Sequence, residues 1–267
     1  MGSARQRDRY APCAEVAIFA QKFFAMLLLL QNLTPRGAGT LVACIIVVYV
    51  GLVSSAGARP AGGARWPADA GAANATALVA VDLYGEALCP DTRHAVADVL
   101  APMLAAGFGP ALRLRYVAAG KTRAAIAGGG IACQHGALEC KFNRYINCAQ
   151  RAAPQEAWFS YARCLHAHPS DLEAAAPGCA AAAGIAHGAL AECAEGGEGA
   201  ALEAAAVEET EALSPRLTFV PWILVEGVAL GAAFEQLDRV VCVAAAAKGV
   251  QQPAACGAVP ARLAQMG

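Results

Sequence analysis

The sequence predicts an α/β fold in which a β-α-β unit is followed by a β-β-α unit, with a cysteine-rich, mainly helical insertion between them. The first unit lies in residues 76–117, where two apolar segments enclose an amphipathic one. The second lies in residues 217–248, where a hairpin pattern precedes a helical pattern. Residues from about 121 to 215 hold short alanine-rich helical patterns and six cysteines. Alternating strand and helix patterns are typical of α/β proteins.

The first unit is predicted from its hydrophobic patterns. Residues 76–84, TALVAVDLY, are almost continuously apolar and include β-branched residues, as expected of a buried strand. Apolar residues at helical spacing follow over 96–104, and Pro90 occupies a first-turn position. Residues 112–117, LRLRYV, alternate apolar with polar and predict a second strand that turns Tyr116 toward the core. Because a helix joins the two strands, we expect them to be parallel.

The second unit is a hairpin followed by a helix. Residues 217–230, LTFVPWILVEGVAL, predict two strands that turn near Glu226 and Gly227. Residues 233–248 predict the closing helix. We expect no strand within the insertion, so the core keeps the order β-α-β, β-β-α. That order is the one of a thioredoxin-like core.

The N-terminal extension, residues 1–58, contains a membrane-targeting segment. Residues 37–58 carry no charge, and the run TLVACIIVVYVGLV within them is apolar. The small residues that end at Ala58 resemble a signal-peptidase site, which favours a cleaved secretory signal peptide. Residues 38–57 are also about long enough to span a bilayer, since roughly 20 residues suffice, so a retained signal anchor is the second interpretation. The protein contacts a membrane only under the second interpretation.

The rest of the chain divides into a linker, one domain and a tail. Residues 59–75 are rich in alanine and glycine and form the linker, in which Asn74 begins an N-glycosylation sequon. Residues 76–256 hold the thioredoxin-like domain with its insertion, and residues 257–267 form the tail. We expect this protein to be a monomer.

The cysteine count indicates one reactive thiol. Nine cysteines follow residue 58, and the oxidising compartments of the secretory pathway pair cysteines. Four disulfides would leave one thiol over, and the spacing alone leaves the connectivity open. A secretory signal directs a protein equally to the lysosome, the vacuole or the extracellular space, so it does not distinguish these destinations. The disulfide candidates are Cys133, Cys140, Cys148, Cys164, Cys179, Cys193, Cys242 and Cys256.

Charge patterning argues against a nucleic-acid partner, and we expect none. The net charge is −1, and residues 1–58 hold five of the Lys and Arg residues against two acidic ones, which leaves 15 against 19 beyond them. No basic stripe with interleaved aromatic residues is present in the sequence. No phosphate-binding glycine loop follows a predicted strand, so no nucleotide or flavin site is indicated.

The unpaired thiol is expected to be Cys89, where the first strand gives way to the first helix. A helix N-terminus carries about half a positive charge and free N–H groups, both of which favour thiolate over thiol. The alternative is that Cys89 pairs with a cysteine of the insertion.

In the second unit, Val220-Pro221 interrupts a predicted strand. Two explanations are open: a cis proline that faces the redox cysteine, or an ordinary edge-strand proline.

A second group of chemically active residues lies in residues 133–148, CQHGALECKFNRYINC. Cys133, His135 and Cys140 are of zinc-ligand type, but their spacing matches no common zinc module and the compartment favours disulfides, so no metal is expected. The segment fits the pattern C-Q-H-G-x2-E-C-x2-N-x4-C, the signature of the gamma-interferon-inducible lysosomal thiol reductase family. The segments LYGEALCP and VPWILVEG also resemble that family, and the resemblance covers roughly residues 78–256.

The resemblance implies a thioredoxin-like core and reduction of protein disulfides in an acidic lysosomal or extracellular setting through a C-x-x-C pair. Here the pair is C-P-D-T: Cys89 matches the attacking cysteine, and Thr92 stands where the resolving cysteine belongs. We expect Cys89 to be the nucleophile and the Thr92 hydroxyl to donate to its thiolate. Val220 and Pro221 are expected to shape the substrate groove.

The same resemblance sets the expected partners. They are disulfide-containing protein substrates, with no bound cofactor and with a small thiol such as glutathione or cysteine as co-reductant. The alternative is a disulfide-stabilised secreted binding protein that has lost catalysis. His135 and Glu139 are expected to support the insertion structurally.

Overall fold

The computed structural model of this protein describes residues 78–124 and 130–258. The predicted extension 1–58, the linker 59–75 with Asn74, and residues 259–267 of the tail lie outside the described residues. The predictions made for them stay predictions. Within the part of the chain that is described, no helix is both long enough and apolar enough to cross a bilayer.

Strands and helices alternate as the sequence predicts. The strands are β1 (Val79–Gly85), β2 (Leu112–Ala118), β3 (Arg123–Ala124), β4 (Ile131–Ala132), β5 (Trp222–Val225) and β6 (Val228–Ala229). The α-helices are α1 (Pro90–His94), α2 (Ala101–Met103), α3 (Ala137–Ala152), α4 (Gln155–His166), α5 (Leu172–Ala182), α6 (His187–Glu195), α7 (Gly197–Glu211) and α8 (Leu237–Lys248). Two π-helical segments, Ala95–Leu100 and Leu104–Phe108, extend α1 and α2, and 3₁₀ turns are Gly109–Ala111, Gly231–Gln236 and Ala254–Ala258.

The main sheet has the strand order β2-β1-β5-β6. β1 runs parallel to β2, with Val79 opposite Leu112, and antiparallel to β5, with Tyr84 opposite Trp222. The hairpin between β5 and β6 turns at Glu226 and Gly227, both of which have positive φ, as two-residue hairpin turns require. This order confirms the predicted thioredoxin-like core.

Two predicted strand assignments are wrong in detail. β5 begins at Trp222 and not at Leu217, because Pro221 has no N–H to donate to a ladder. The insertion was expected to contain no strand, yet β3 and β4 pair in a two-stranded antiparallel ladder within it. Each of these strands has two residues, which is too short to produce a detectable alternation of polar and apolar residues.

All eight disulfide candidates are paired. Three bridges close within the insertion, and the fourth ties α8 to the C-terminal turn. The pairs are Cys133–Cys140, Cys148–Cys193, Cys164–Cys179 and Cys242–Cys256. Four disulfides fit folding in an oxidising compartment of the secretory pathway.

The insertion docks on the free edge of β2 through side-chain amides. Alternate residues of β2 donate their backbone N–H groups outward: Leu114 to the side chain of Gln155 at 2.8 Å, Tyr116 to that of Gln150 at 2.7 Å, and Ala118 to that of Asn147 at 3.1 Å. The Asn147 amide also donates to the Ala118 carbonyl at 3.1 Å. An exposed strand edge is thereby satisfied without another strand.

On one face of the sheet, α7 is joined to β1 and β2 by buried charges. Arg115 donates to Asp82 at 2.7 Å and to Glu209 of α7 at 2.7 Å. The Tyr84 hydroxyl donates to the same Glu209 oxygen at 2.8 Å. Burial and the Glu209 charge raise the pKa of Tyr84, so its hydroxyl stays protonated. The insertion is therefore held both at the edge and across one face of the sheet.

The disulfides are expected to differ in their contribution to stability. Cys148–Cys193 spans 45 residues of sequence, whereas Cys164–Cys179 spans 15. Loop-closure entropy predicts that replacing both cysteines by alanine lowers the free energy of unfolding by about 4 kcal/mol for the longer loop and about 3 kcal/mol for the shorter one. Denaturant unfolding without reductant measures both. The matched control removes Cys242–Cys256, which spans 14 residues. It should lower the free energy of unfolding by as much as the removal of Cys164–Cys179 does. A larger cost for this control than for Cys148–Cys193 would contradict the prediction.

Candidate functional site

Cys89 lies at the junction of β1 and α1 and is 6% exposed. Its N–H donates to the Glu86 carbonyl at 3.3 Å, and its own carbonyl accepts from the Arg93 N–H at 3.0 Å. Pro90 is the first helical residue and has no N–H, so the next N–H groups begin the helix without intrahelical partners. Cys89 is the unpaired cysteine of residues 78–124 and 130–258. The structure thus assigns the odd thiol to the residue that the sequence indicates.

Thr92 is fully buried directly behind Cys89, but its hydroxyl is used elsewhere. It accepts a hydrogen bond from the Glu86 N–H at 3.3 Å. Its methyl group packs on Gly85, where a Cβ atom would lie 2.5 Å from it. Among the described residues, no hydrogen bond joins the Thr92 hydroxyl to the Cys89 thiol. Thr92 therefore stabilises the loop that carries Cys89. The predicted hydrogen bond from its hydroxyl to the Cys89 sulfur is not formed in this structure.

The Val220–Pro221 peptide bond is cis. Pro221 immediately precedes Trp222, whose partner on β1 is Tyr84, so the bend lies at the end of the sheet from which the Cys89 loop emerges. The cis bond agrees with the first of the two explanations open from the sequence, and the expectation that this proline faces Cys89 stays a prediction. Phe219 next to it is 38% exposed and stands edge-on to Trp222 at 5.1 Å between ring centroids. The sequence analysis did not single out this exposed aromatic residue.

A buried phenol and imidazole lie near the start of α1. The Tyr116 hydroxyl and His166 Nε2 are 3.1 Å apart. Burial, together with the positive charge of Arg93, lowers the pKa of His166 to about 4, so near neutral pH the ring is uncharged and its Nε2 accepts a hydrogen bond from the hydroxyl. Burial raises the pKa of Tyr116 well above its usual value, and the charges of Cys89 and two glutamates add to the shift. This phenol therefore lies within electrostatic range of the candidate nucleophile.

Three titratable side chains, Glu86, His135 and Glu139, meet beside the Cys89 loop. His135 Nδ1 is 2.5 Å from one oxygen of Glu139 and 3.4 Å from Oε2 of Glu86. The His135 backbone N–H donates to the other Glu139 oxygen at 3.0 Å. Both carboxyl groups are fully buried, and the imidazole is partly exposed. These atoms lie within 4.8 Å of one another and are of types that could hold a divalent cation.

Burial raises the pKa of the Glu86 carboxyl above its usual value, and the negative charge of Glu139 adds to the shift. The Lys121 N–H, which donates to Glu86 Oε1 at 2.6 Å, acts in the opposite direction. Glu86 was missed as a candidate, although an isolated acid in the apolar run LYGEALCP is a visible signal. His166 carries no comparable signal, because only the fold brings it to Tyr116.

The 133–148 segment holds the loop that carries Cys89. The Asn143 side chain accepts the Ala87 N–H at 2.9 Å, and its amide nitrogen lies 3.9 Å from the Cys133 sulfur. The zinc alternative for Cys133, His135 and Cys140 is excluded, because both thiols are consumed by their disulfide. His135 and Glu139 were expected to support the insertion alone. In the structure they also lie beside Glu86, which belongs to the loop that carries Cys89.

The fold and site define a thioredoxin-like protein in which the described residues hold one free thiol at the first helix and a cis proline at the same end of the sheet. The family model described as gamma interferon inducible lysosomal thiol reductase (GILT) matches residues 80–183. The chain is similar to this family over that segment, which is less than half of its length.

Two similar proteins carry the name of the same family. The chain is 29% identical over 183 residues to GILT-like protein C02D5.2 of Caenorhabditis elegans, covering 62% of this chain and 52% of that protein. It is 29% identical over 185 residues to the gamma-interferon-inducible lysosomal thiol reductase of Mus musculus, covering 68% and 73%. The chain thus spans about half the length of the nematode relative.

A solved structure is also similar. MdbA, described as a thiol-disulfide oxidoreductase from Corynebacterium diphtheriae, superposes with a TM-score of 0.43 and 12% identity, covering 60% of this chain and 81% of that one. The fold assignment above stands on the strand order and register and not on this likeness.

The buried neutral His166 predicts loss of stability in acid. Its folded pKa is about 4, below the ordinary value of 6.5, so its contribution is complete above pH 6.5 and is lost as pH falls toward 4. We expect this loss to reach roughly 2 kcal/mol at pH 5. His166→Gln, which keeps an acceptor for Tyr116, should flatten the dependence of Tm on pH over this range. His168→Gln on an exposed neighbour is the control and should leave the curve unchanged. Identical curves for wild type and His166→Gln would refute this assignment.

Proposed function

We propose that this protein is a thiol-disulfide oxidoreductase that reduces or exchanges disulfides in protein substrates through Cys89. The observation that carries the proposal is that Cys89 is free at a helix start while the other eight cysteines of the described residues are bridged. The thiolate of such a cysteine is the attacking species in thiol-disulfide exchange. The similarity of residues 80–183 to the GILT family supports the same chemistry.

The first step needs only the chain's own thiol. The Cys89 thiolate attacks one sulfur of a substrate disulfide, a mixed disulfide forms, and the other substrate sulfur leaves as a thiolate that takes a proton. Val220 and Pro221 would flank the substrate, with the exposed Phe219 ring beside them. We infer that an extended segment of substrate would lie at this end of the sheet, where β1 ends and β5 begins.

The second step requires an external thiol, because Thr92 has no sulfur. We infer that a small thiol such as glutathione or cysteine attacks the mixed disulfide and releases the reduced substrate. A second molecule of the thiol then frees Cys89, so two small thiols are oxidised to one disulfide for each substrate disulfide reduced. The protein would thus act as a monothiol catalyst.

We further infer that the protein works as a monomer in a lysosome or vacuole, or outside the cell. The four disulfides support the secretory route, and the family resemblance supports an acidic destination. Immunolocalisation of the tagged full chain tests the destination, and retention in the cytosol would refute it.

Cys89→Ser tests the nucleophile. In the wild type, alkylation at low pH without reductant followed by mass spectrometry should label Cys89, and insulin reduction should depend on added glutathione. In Cys89→Ser, insulin reduction should fall to the uncatalysed rate at unchanged Tm. Wild-type rates in the variant, or Cys89 found in an internal disulfide, would refute the proposal and favour the binding protein without catalysis.

Thr92→Cys tests the role of the missing second thiol. The variant restores a C-P-D-C pair, so the second thiol can displace the substrate within the same chain. We expect the mixed disulfide with substrate to disappear and the glutathione needed for half-maximal rate to fall by roughly tenfold. Thr92→Ser, which keeps the acceptor for the Glu86 N–H, is the control and should retain the wild-type glutathione dependence. An unchanged glutathione requirement in Thr92→Cys would contradict the monothiol mechanism.

A further inference from the structure

The side chains around Glu86 leave one of its carboxylate oxygens without a hydrogen-bond partner. Oε2 of Glu86 accepts no hydrogen bond from the described residues, and His135 Nδ1 lies 3.4 Å from it. The Glu86 side chain is fully buried, so solvent does not reach this oxygen. Buried polar atoms almost always have a partner, because an unsatisfied one costs free energy. The unpartnered oxygen therefore indicates a bound group that the surrounding side chains do not provide.

The charges of the same cluster are unbalanced. Glu86 and Glu139 are both fully buried and carry two negative charges when ionised, whereas the imidazole beside them carries at most one positive charge. Within residues 78–124 and 130–258, neither carboxylate forms an ion pair with a lysine or arginine side chain. Lys121 contacts Glu86 through its backbone N–H. A divalent cation bound by both carboxylates would balance their charge.

Backbone N–H groups hold both carboxylates in place. Oε1 of Glu86 accepts the Lys121 N–H at 2.6 Å, and Oε1 of Glu139 accepts the His135 N–H at 3.0 Å. The two Oε2 atoms lie beside Nδ1 of His135, at 3.4 Å for Glu86 and 2.5 Å for Glu139. Hydrogen bonds from surrounding groups orient metal ligands in the same way. The three atoms lie within 4.8 Å of one another, which is close enough for all of them to bind one ion.

The separations between these atoms suit a tetrahedral zinc ion after a small movement. Ligand atoms about 2.0–2.2 Å from zinc lie about 3.3–3.6 Å from one another. The separation of His135 Nδ1 from Glu86 Oε2 is already in this range. The separation of Nδ1 from Glu139 Oε2 is a hydrogen-bond distance, so these two atoms would move apart by about 1 Å when an ion replaces the shared proton. An imidazole ligand disfavours magnesium and calcium, which prefer oxygen ligands.

We propose that Glu86, His135 and Glu139 bind one divalent transition-metal ion, such as Zn²⁺, through Oε2 of each carboxylate and Nδ1 of the imidazole. The proton on Nδ1 passes to solvent when the ion binds. The His135 side chain is 31% exposed, which gives the ion a path from solvent and leaves room for water as a fourth ligand. The ion joins the loop before Cys89, which carries Glu86, to the start of α3.

This site differs from the zinc site considered for Cys133, His135 and Cys140, whose two thiols are consumed by their disulfide. Its carboxylates come from separate segments of the chain, and only the fold brings them together. The proposal goes beyond the proposed function, because it needs neither the Cys89 thiol nor a disulfide substrate.

Isothermal titration calorimetry with zinc chloride tests the site. The secreted protein carrying Cys89→Ser, which removes the free thiol as a competing ligand, is treated with a chelator and then titrated at pH 7. We expect one zinc ion per chain and a higher Tm with zinc, because an ion that binds the folded state stabilises it. Adding Glu86→Gln should lower the affinity at least about tenfold. Magnesium chloride should bind at least about 100-fold more weakly than zinc chloride.

Two further variants complete the test. Glu203→Gln is the matched control, because it removes another buried glutamate, one that lies beside the Cys133–Cys140 bridge. It should keep the affinity of the Cys89→Ser parent. His135→Gln changes the partly exposed ligand and should lower the affinity at least about tenfold, which decides the matter if Glu86→Gln does not fold.

Three results would overturn the proposal. The first is a parent protein that binds no zinc, in which case a proton neutralises the cluster. The second is an affinity that is unchanged in the ligand variants or falls equally in Glu203→Gln. The third is magnesium binding as tight as zinc binding, which would contradict a transition-metal site.

Discussion

The docking of the insertion on the edge of β2 is the interaction on which the rest of the structure depends. Side-chain amides of α3 and α4 take the place of a neighbouring strand and satisfy the N–H groups of Leu114, Tyr116 and Ala118. Because these amides lie on α3 and at the start of α4, they fix the position of α3 on the edge of the sheet. The first half of α3 and the turn before it place Glu139, Asn143 and His135 beside the Cys89 loop. A misplaced α3 would leave both the edge of the sheet and the loop without partners.

Local patterns in the sequence were sufficient to predict the strands and helices of the core. The apolar run before Cys89, the alternation of 112–117 and the turn at Glu226 and Gly227 each depend on neighbouring residues, so they could be predicted. The odd cysteine count also indicated one free thiol, and the structure assigns it to Cys89. The start of β5 was placed too early because pattern alone does not show where a proline ends a ladder.

The residues around the thiol could not be predicted in the same way. Glu86 and His135 are 49 positions apart, and Tyr116 and His166 are 50 apart, so no local period relates them. Their meeting is a consequence of how α3 and α4 pack on β2. The role expected of Thr92 failed for a similar reason: the sequence shows its spacing from Cys89 but not the competing N–H of Glu86. Burial and competition between partners are properties of the assembled fold.

Because α3 contacts both the edge of β2 and the Cys89 loop, the order in which the protein folds and forms its disulfides matters. Its N-terminal end supports the Cys89 loop, and its Cys148 is bridged to Cys193 of α6, so the loop takes its final form only when the insertion is oxidised and docked. In a nascent chain, a nucleophilic thiol near the eight other cysteines of the described residues could pair with the wrong one. Here the surroundings of Cys89 are completed by the same helix that the correct bridges hold in place. Maturation of the reactive thiol is thereby made dependent on native oxidation of its neighbours.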